Sequence, residues 1–164
     1  MSEGEIVMRP IKDNYYLHIA QTVSERSTCL KRHYGCVIVK DNEIISTGYN
    51  GSPRGEVNCC DVGKCNRMNK PHNSGDYSDC QSVHAEQNAM LSASRKEMLG
   101  TTMYIAGFES TPDFEGLFSP MYEEGTMREI YPCEPCPICM RMIKNAGIKR
   151  IVTTSMNLEL YKEE

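Results

Sequence analysis

Two short motifs, His84-Ala85-Glu86 and Pro135-Cys136-Pro137-Ile138-Cys139, stand about fifty residues apart. Each opens a stretch that reads as a helix. Cysteines at i and i+3 at a helix start can point their sulfurs toward one ion. The unpaired N–H groups and the dipole there also favour thiolate over thiol. If His84 adds a neutral imidazole nitrogen, two thiolates and one imidazole around Zn2+ leave a net charge near zero. A fold that satisfies this must bring the two helix starts together.

Three protein ligands leave one position open, the mark of a catalytic rather than a structural zinc. That position holds a water whose pKa the metal lowers to roughly 7. Glu86, two residues past a ligand, is a poor fourth ligand and is better placed to take a proton from the water and pass it on. Neither motif is specific alone, because His-x-Glu is commonplace and CxxC serves structural zinc, redox work or catalysis. Cys133 and Cys136 make a second CxxC. Pro135 and the helical run after Cys139 favour the later pair and leave Cys133 a bystander thiol.

The rest of the chain alternates periods. Ile11, Tyr15, Tyr16, Ile19, Ala20 and Val23 predict a helix between Pro10 and about Arg32. Cys36 to Val39 and Ile44 to Tyr49 read as a hairpin turning at Asp41-Asn42. A helix is expected from His84 to about Lys96, a strand over Thr102–Ala106, a helix over Cys136–Asn145 with Gly147 as its cap, and a strand over Ile151–Thr154. Residues 107–131 have room for an extra hairpin. The order describes one α/β sandwich, and 164 residues suit a single domain spanning 1–164.

Composition narrows the partners. A net charge of −4 disfavours a nucleic acid polymer, and no apolar run is long enough for a membrane span. The acidic start without an apolar run predicts a cytoplasmic protein. Nine cysteines in a reducing compartment point to metal or chemistry rather than disulfides.

Four blocks carry a family resemblance: Arg26-Ser27-Thr28-Cys29, Ile45 through Gly51, His84 through Ala89, and Pro135 through Cys139. The order H-x-E…P-C-x-x-C is the signature of zinc nucleobase deaminases. With these blocks the chain resembles the deoxycytidylate deaminases of the zinc-dependent cytidine deaminase superfamily over most of residues 11–154. The resemblance implies a three-layer α/β/α cytidine-deaminase-like sandwich with a mixed sheet of four to five strands. It implies hydrolysis of dCMP to dUMP and ammonia, with zinc-bound hydroxide attacking C4 while Glu86 shuttles protons to N3 and the departing amino group. It also implies zinc on His84, Cys136 and Cys139, substrate contacts from Asn50 and Ala85, a homo-oligomer, and dCTP and dTTP as effectors. The long 107–131 segment and the short C-terminal stretch depart from the family pattern. Deaminases of another base (cytidine, guanine, a riboflavin-pathway pyrimidine or tRNA adenosine) and a non-catalytic zinc module that binds a nucleotide are the alternatives.

Residues 50–82 have no periodicity, so something other than secondary structure has to hold them. Cys29, Cys59, Cys60, Cys65 and Cys80 could bind a second, structural zinc of the kind some related deaminases carry. Cys29, Cys60, Cys65 and Cys80 are the candidate set; the alternative is idle thiols. Arg54, Arg95 and Lys96 could meet a phosphate or a neighbouring subunit, although solvated charge is commoner. Tyr49 could stack on a pyrimidine or simply pack.

Overall fold

The run Cys36-Val37-Ile38-Val39 is buried along its whole length, which requires a strand covered on both faces. The computed structural model describes residues 9–72, 74, 75, 77–110 and 127–160. In chain order the elements are α1 (Lys12–Ser24), β1 (Arg32–Lys40), β2 (Glu43–Tyr49), α2 (Cys59–Val62), α3 (Ala85–Leu91), α4 (Arg95–Met98) and β3 (Thr102–Ser110). They continue with β4 (Met127–Glu129), α5 (Pro137–Ala146), β5 (Arg150–Val152) and β6 (Asn157–Glu159). One mixed six-stranded sheet runs β2-β1-β3-β5-β6, with β4 beside β3. Only the β3–β5 pairing is parallel.

Alternation along the strands assigns each side chain to a layer. Val37, Val39, Tyr104, Ala106 and Val152 meet Tyr16 and Ala20 of α1 on one face. Cys36, Ile38, Met103, Ile105 and Ile151 meet Ala85 and Ala89 of α3 and Cys139 and Ile143 of α5 on the other. The three layers are therefore α1, the sheet, and the α3/α5 pair. Asp13 on α1 ties its layer to the sheet, accepting from the Tyr104 hydroxyl at 2.9 Å and from the Arg150 guanidinium at 3.0 and 2.5 Å.

Two glycines let helices approach the sheet. A Cβ at Gly35 would meet Ala20 O of α1 at 1.9 Å, and one at Gly48 would meet Ala89 N of α3 at 2.3 Å. Asp41 and Asn42 make the β1–β2 turn with φ of +50° and +67°, the left-handed pair that a two-residue hairpin needs.

The sandwich is as expected, and the differences are local. The sheet has six strands instead of four to five, because β6 turns straight back onto β5 and β4 pairs the extended end of β3. β3 and β4 are the two sides of the extra hairpin, whose connection at 111–126 lies outside the described residues. The first helix stops at Ser24, whose hydroxyl donates to Gln21 O at 2.5 Å. The helix expected from His84 to Lys96 is broken at Ser94, which accepts from the Glu97 N–H at 3.2 Å and caps α4 instead. No helix among the described residues is long and apolar enough to cross a membrane.

Candidate active site

His84 is the N-cap of α3 and Cys136 the N-cap of α5, so both motifs stand at helix starts on one face of the sheet. Pro137 opens α5 with its fixed φ, and Cys136 Sγ accepts from the Cys139 N–H at 3.4 Å. The His84 N–H donates to Gln87 Oε1 at 2.9 Å. Just before it, Val83 exchanges backbone bonds with Gly51 at 2.8 and 3.1 Å, which sets α3 against the end of β2. His84 Nδ1 then lies 3.7 Å from Cys136 Sγ and 3.4 Å from Cys139 Sγ.

These distances fit zinc. With Zn–N near 2.0–2.1 Å and Zn–S near 2.3 Å, tetrahedral geometry sets nitrogen and sulfur about 3.5 Å apart. All three ligand atoms lie within 4.8 Å of one another, and no other group of three such residues gathers so closely among the described residues. One thiol of the pair is poised as a thiolate. Hydrogen bonds from Cys139 and from His84 push the Cys136 thiol down to about 3 against its burial. Cys139 moves up, because it shares its proton with Cys136 and is buried. The hydrogen bond to Cys136 raises the His84 imidazole, while burial opposes it. Cys133 is fully buried, its burial pushes its thiol up to about 12, and its Sγ faces Ile105 O at 3.9 Å. The later CxxC is the one beside His84.

Glu86 is 6% exposed, and burial raises its carboxyl above the ordinary value of 4.5. A carboxyl so placed holds a proton more readily than an exposed one, as suits a proton carrier. Glu86, Asn50, Tyr34 and Glu134 line a cavity together with His84 and Cys136. The Asn50 amide donates to Arg32 O at 2.9 Å and accepts from the Tyr34 N–H at 2.7 Å, which leaves one amide hydrogen uncommitted. Ala85 has its methyl fully buried in the core, so its backbone is what it can offer a ligand.

Three cations, Lys31, Arg32 and Arg67, line the same cavity, with His72 and Tyr77 beside them. The Tyr77 ring stands edge-on to His84 at 6.1 Å, and the Arg67 guanidinium lies 4.2 Å over Tyr77. Sequence reading did not single these groups out, since nothing local ties residues 65–80 to β1. Arg54, Arg95, Lys96 and Tyr49 lie outside the lining.

The cysteine loop brings Cys29, Cys59, Cys65 and Cys80 near enough for charge on one to act on another. Burial chiefly, and then these neighbours, raises the thiols of Cys29 and Cys59. Cys60 is exposed and turns its Sγ to Asp61 Oδ1 at 3.8 Å. No three of these sulfurs lie within the 4.8 Å that encloses the His84 group.

Residues 10–155 match the family model for the cytidine and deoxycytidylate deaminase zinc-binding region. The chain is 36% identical over 157 residues to the deoxycytidylate deaminase of Schizosaccharomyces pombe, covering 93% of this chain and 40% of that protein. It is 33% identical over 150 residues to the deoxycytidylate deaminase of Mycobacterium phage D29, covering 88% of this chain and 94% of the phage protein. Thus it spans less than half of the yeast relative and nearly all of the phage one. The crystal structure of dCMP deaminase from the cyanophage S-TIM5 in complex with dCMP and dUMP has the same fold, with a TM-score of 0.58 at 23% identity over 89% of this chain and 82% of that one.

Proposed function

The chain belongs to the cytidine and deoxycytidylate deaminase zinc-binding family, and from that premise we propose that it hydrolyses dCMP to dUMP and ammonia. The observation that carries this reading is the meeting of His84, Cys136 and Cys139 beside a buried Glu86 at one cavity. The names of the yeast and phage relatives support dCMP as the substrate.

His84 Nδ1 and the thiolates of Cys136 and Cys139 would hold the zinc, which when bound would supply a water activated as a nucleophile near neutral pH. Glu86, which lines the cavity beside His84 and Cys136, would accept a proton from the attacking water and hand it to ring N3. The same carboxyl would then carry the proton of the C4 hydroxyl to the C4 amino group, which leaves as ammonia as the C4 carbonyl forms. The free amide hydrogen of Asn50 and the backbone of Ala85 orient the nucleotide. Burial of the Glu86 carboxyl keeps bulk water from competing for its proton.

A second, structural zinc completes the domain, bound by Cys29, Cys65, Cys80 and Cys59; Cys59 replaces Cys60 because Cys60 faces outward. Bound there, an ion would give the segment between Cys59 and Cys80 the cross-link its sequence lacks. The protein works in the cytoplasm, where its nine cysteines stay reduced. It assembles with copies of itself, covering the exposed Leu91, Ile138 and Met142 of α3 and α5, and dCTP and dTTP regulate it.

Ammonia release from dCMP, deoxycytidine, dCTP, cytidine and guanine, each offered separately with and without dCTP as activator, tests the assignment. Turnover of dCMP above all others is expected. Preference for another base would discard the substrate, and zinc without turnover of any would favour a binding module.

A further inference from the structure

Residues 107–131 are the part of the chain that the deaminase reading leaves without a task. Their described portion is the outer end of β3 and the strand β4, and it brings a row of three charges to the wall of the catalytic cavity. Arg32 of β1 is the register partner of Glu109 on β3, and Glu109 is the partner of Arg128 on β4. Cross-strand partners share one face of a sheet. Arg32, Tyr34 and Cys36 alternate along β1, and Cys36 packs toward α3 and α5, so the row lies on that face. The side chains complete what the register sets up. Arg32 Nη2 meets Glu109 Oε2 at 2.9 Å, and Arg128 takes the other oxygen, Oε1, through Nη2 at 2.6 Å and Nε at 2.8 Å. Glu109 thus gives one oxygen to each arginine.

Of these three residues only Arg32 lines the cavity that holds Glu86, His84 and Cys136. Its guanidinium is fixed at two points, by Glu109 and by the Tyr34 hydroxyl, to which Nη1 donates at 3.2 Å. Its buried Nε has no partner. Glu86 and Glu134 line the same cavity, so an arginine released from Glu109 has other carboxylates to turn to, at the expense of space for the base. The Arg32 and Glu109 side chains are 21% and 16% exposed, against 62% for Arg128. The inner pair is therefore little screened by solvent, and the outer arginine acts as its brace.

Resting on the deaminase reading, we infer that Glu109, braced by Arg128, is a positioning residue that holds the Arg32 guanidinium in place at the catalytic cavity. The extra hairpin then serves turnover as well as extending the sheet. Continuous pairing of β1 with β3 from Arg32 to Val39 supplies the rigidity, since a side chain on a paired strand is held more closely than one on a loop.

The test is a double-mutant cycle in the full chain, reading kcat and KM for dCMP in wild type, Glu109→Gln, Arg32→Gln and the double variant, with melting and zinc content beside them. Glu109→Gln is expected to lower kcat/KM about 10-fold, mainly through KM and with zinc retained. In the Arg32→Gln background the same substitution should change kcat/KM by no more than about twofold, because its route to the site has gone. Glu109→Asp, which keeps the charge, should recover part of the loss. Arg128→Gln, at the exposed brace, should cost about threefold with Arg32 present and nothing without it, and it serves in place of Glu109→Gln if that variant does not fold. Wild-type kcat/KM in Glu109→Gln, or equal losses in the two backgrounds from either substitution, would overturn the positioning role and leave a structural ion pair. A wild-type protein that turns over another base but not dCMP would overturn the substrate assignment alone, with the cycle then read on that base. A protein inactive on every base would overturn the deaminase reading and this inference with it.

Discussion

Substituting Gly48→Ala perturbs the site without touching any residue that does chemistry. A methyl there would sit 2.3 Å from Ala89 N and 2.4 Å from Ala85 O, both backbone atoms of α3. Ordinary contact begins near 3.4 Å, so α3 has to retreat by about 1.1 Å, the difference between 3.4 and 2.3 Å. Backbone atoms cannot escape by changing rotamer, and the overpacking costs about 1–3 kcal/mol. For a chain of this size that lowers the melting temperature by roughly 2–12 °C. The same shift moves His84 and Glu86 relative to Cys136 and Cys139, whose sulfurs now sit 3.7 and 3.4 Å from His84 Nδ1. Misplacement by about 1 Å costs roughly 100-fold in rate. Melting, zinc content and kcat/KM should be measured beside Thr47→Ala, the neighbouring exposed position on β2. Gly48→Ala with wild-type melting and wild-type kcat/KM would refute the claim that this close approach of β2 to α3 positions the site.

Glu86→Gln should keep its zinc and its melting temperature while kcat falls by about 10²–10⁴; near-wild-type turnover would remove Glu86 as the proton carrier. Metal analysis of Cys59→Ser should find about one zinc per chain where the wild type and Cys60→Ser hold about two, as expected if only the first is a ligand of a four-cysteine site. Identical metal content in the two variants would dissolve the proposed quartet. Hydrogen bonds from Arg150 hold the Asp13 carboxyl below its ordinary value of 3.8. Its contribution is therefore full above about pH 4 and is lost as pH falls through the lowered native value. Solvent screening at this partly exposed pair limits the contribution to about 1 kcal/mol. Asp13→Asn should melt a few degrees lower at pH 7, with the gap closing in acid, and parallel curves at all pH would contradict this.

Much of the fold is legible locally, because strand and helix periods are properties of neighbouring residues. Cys36 to Val39, Met103 to Ala106 and Ile151-Val152 carry the unbroken apolar signal of a sheet covered on both sides. Asp41-Asn42 and Gly147 mark their turns by the left-handed conformations they adopt. The Ser94-x-x-Glu97 capping box that starts α4 is also written in the sequence, although Ala85, Ala89 and Ala93 follow the spacing of one longer helix. Strand β6 is not legible: three exposed residues acquire strand geometry only because β5 offers them an open edge.

The chemistry of the metal centre follows from residue type and spacing alone, since a His-x-Glu and a Cys-x-x-Cys at helix starts allow few other uses together. What needed the tertiary structure is everything that depends on contacts between distant segments. Pro135 and the helical run after Cys139 already favour Cys136 over Cys133, and the packing adds where each thiol goes, one into the core toward Ile105 and the other to His84. Cys59 and Cys60 are adjacent, and the packing leaves Cys60 exposed beside Asp61 while Cys59 lies near enough to Cys29 for its charge to act. Lys31, Arg32 and His72 share a cavity with Glu86 because the loop folds back over β1. Spacing along the chain fixes which atoms can act, whereas burial and long-range closure decide which of them meet.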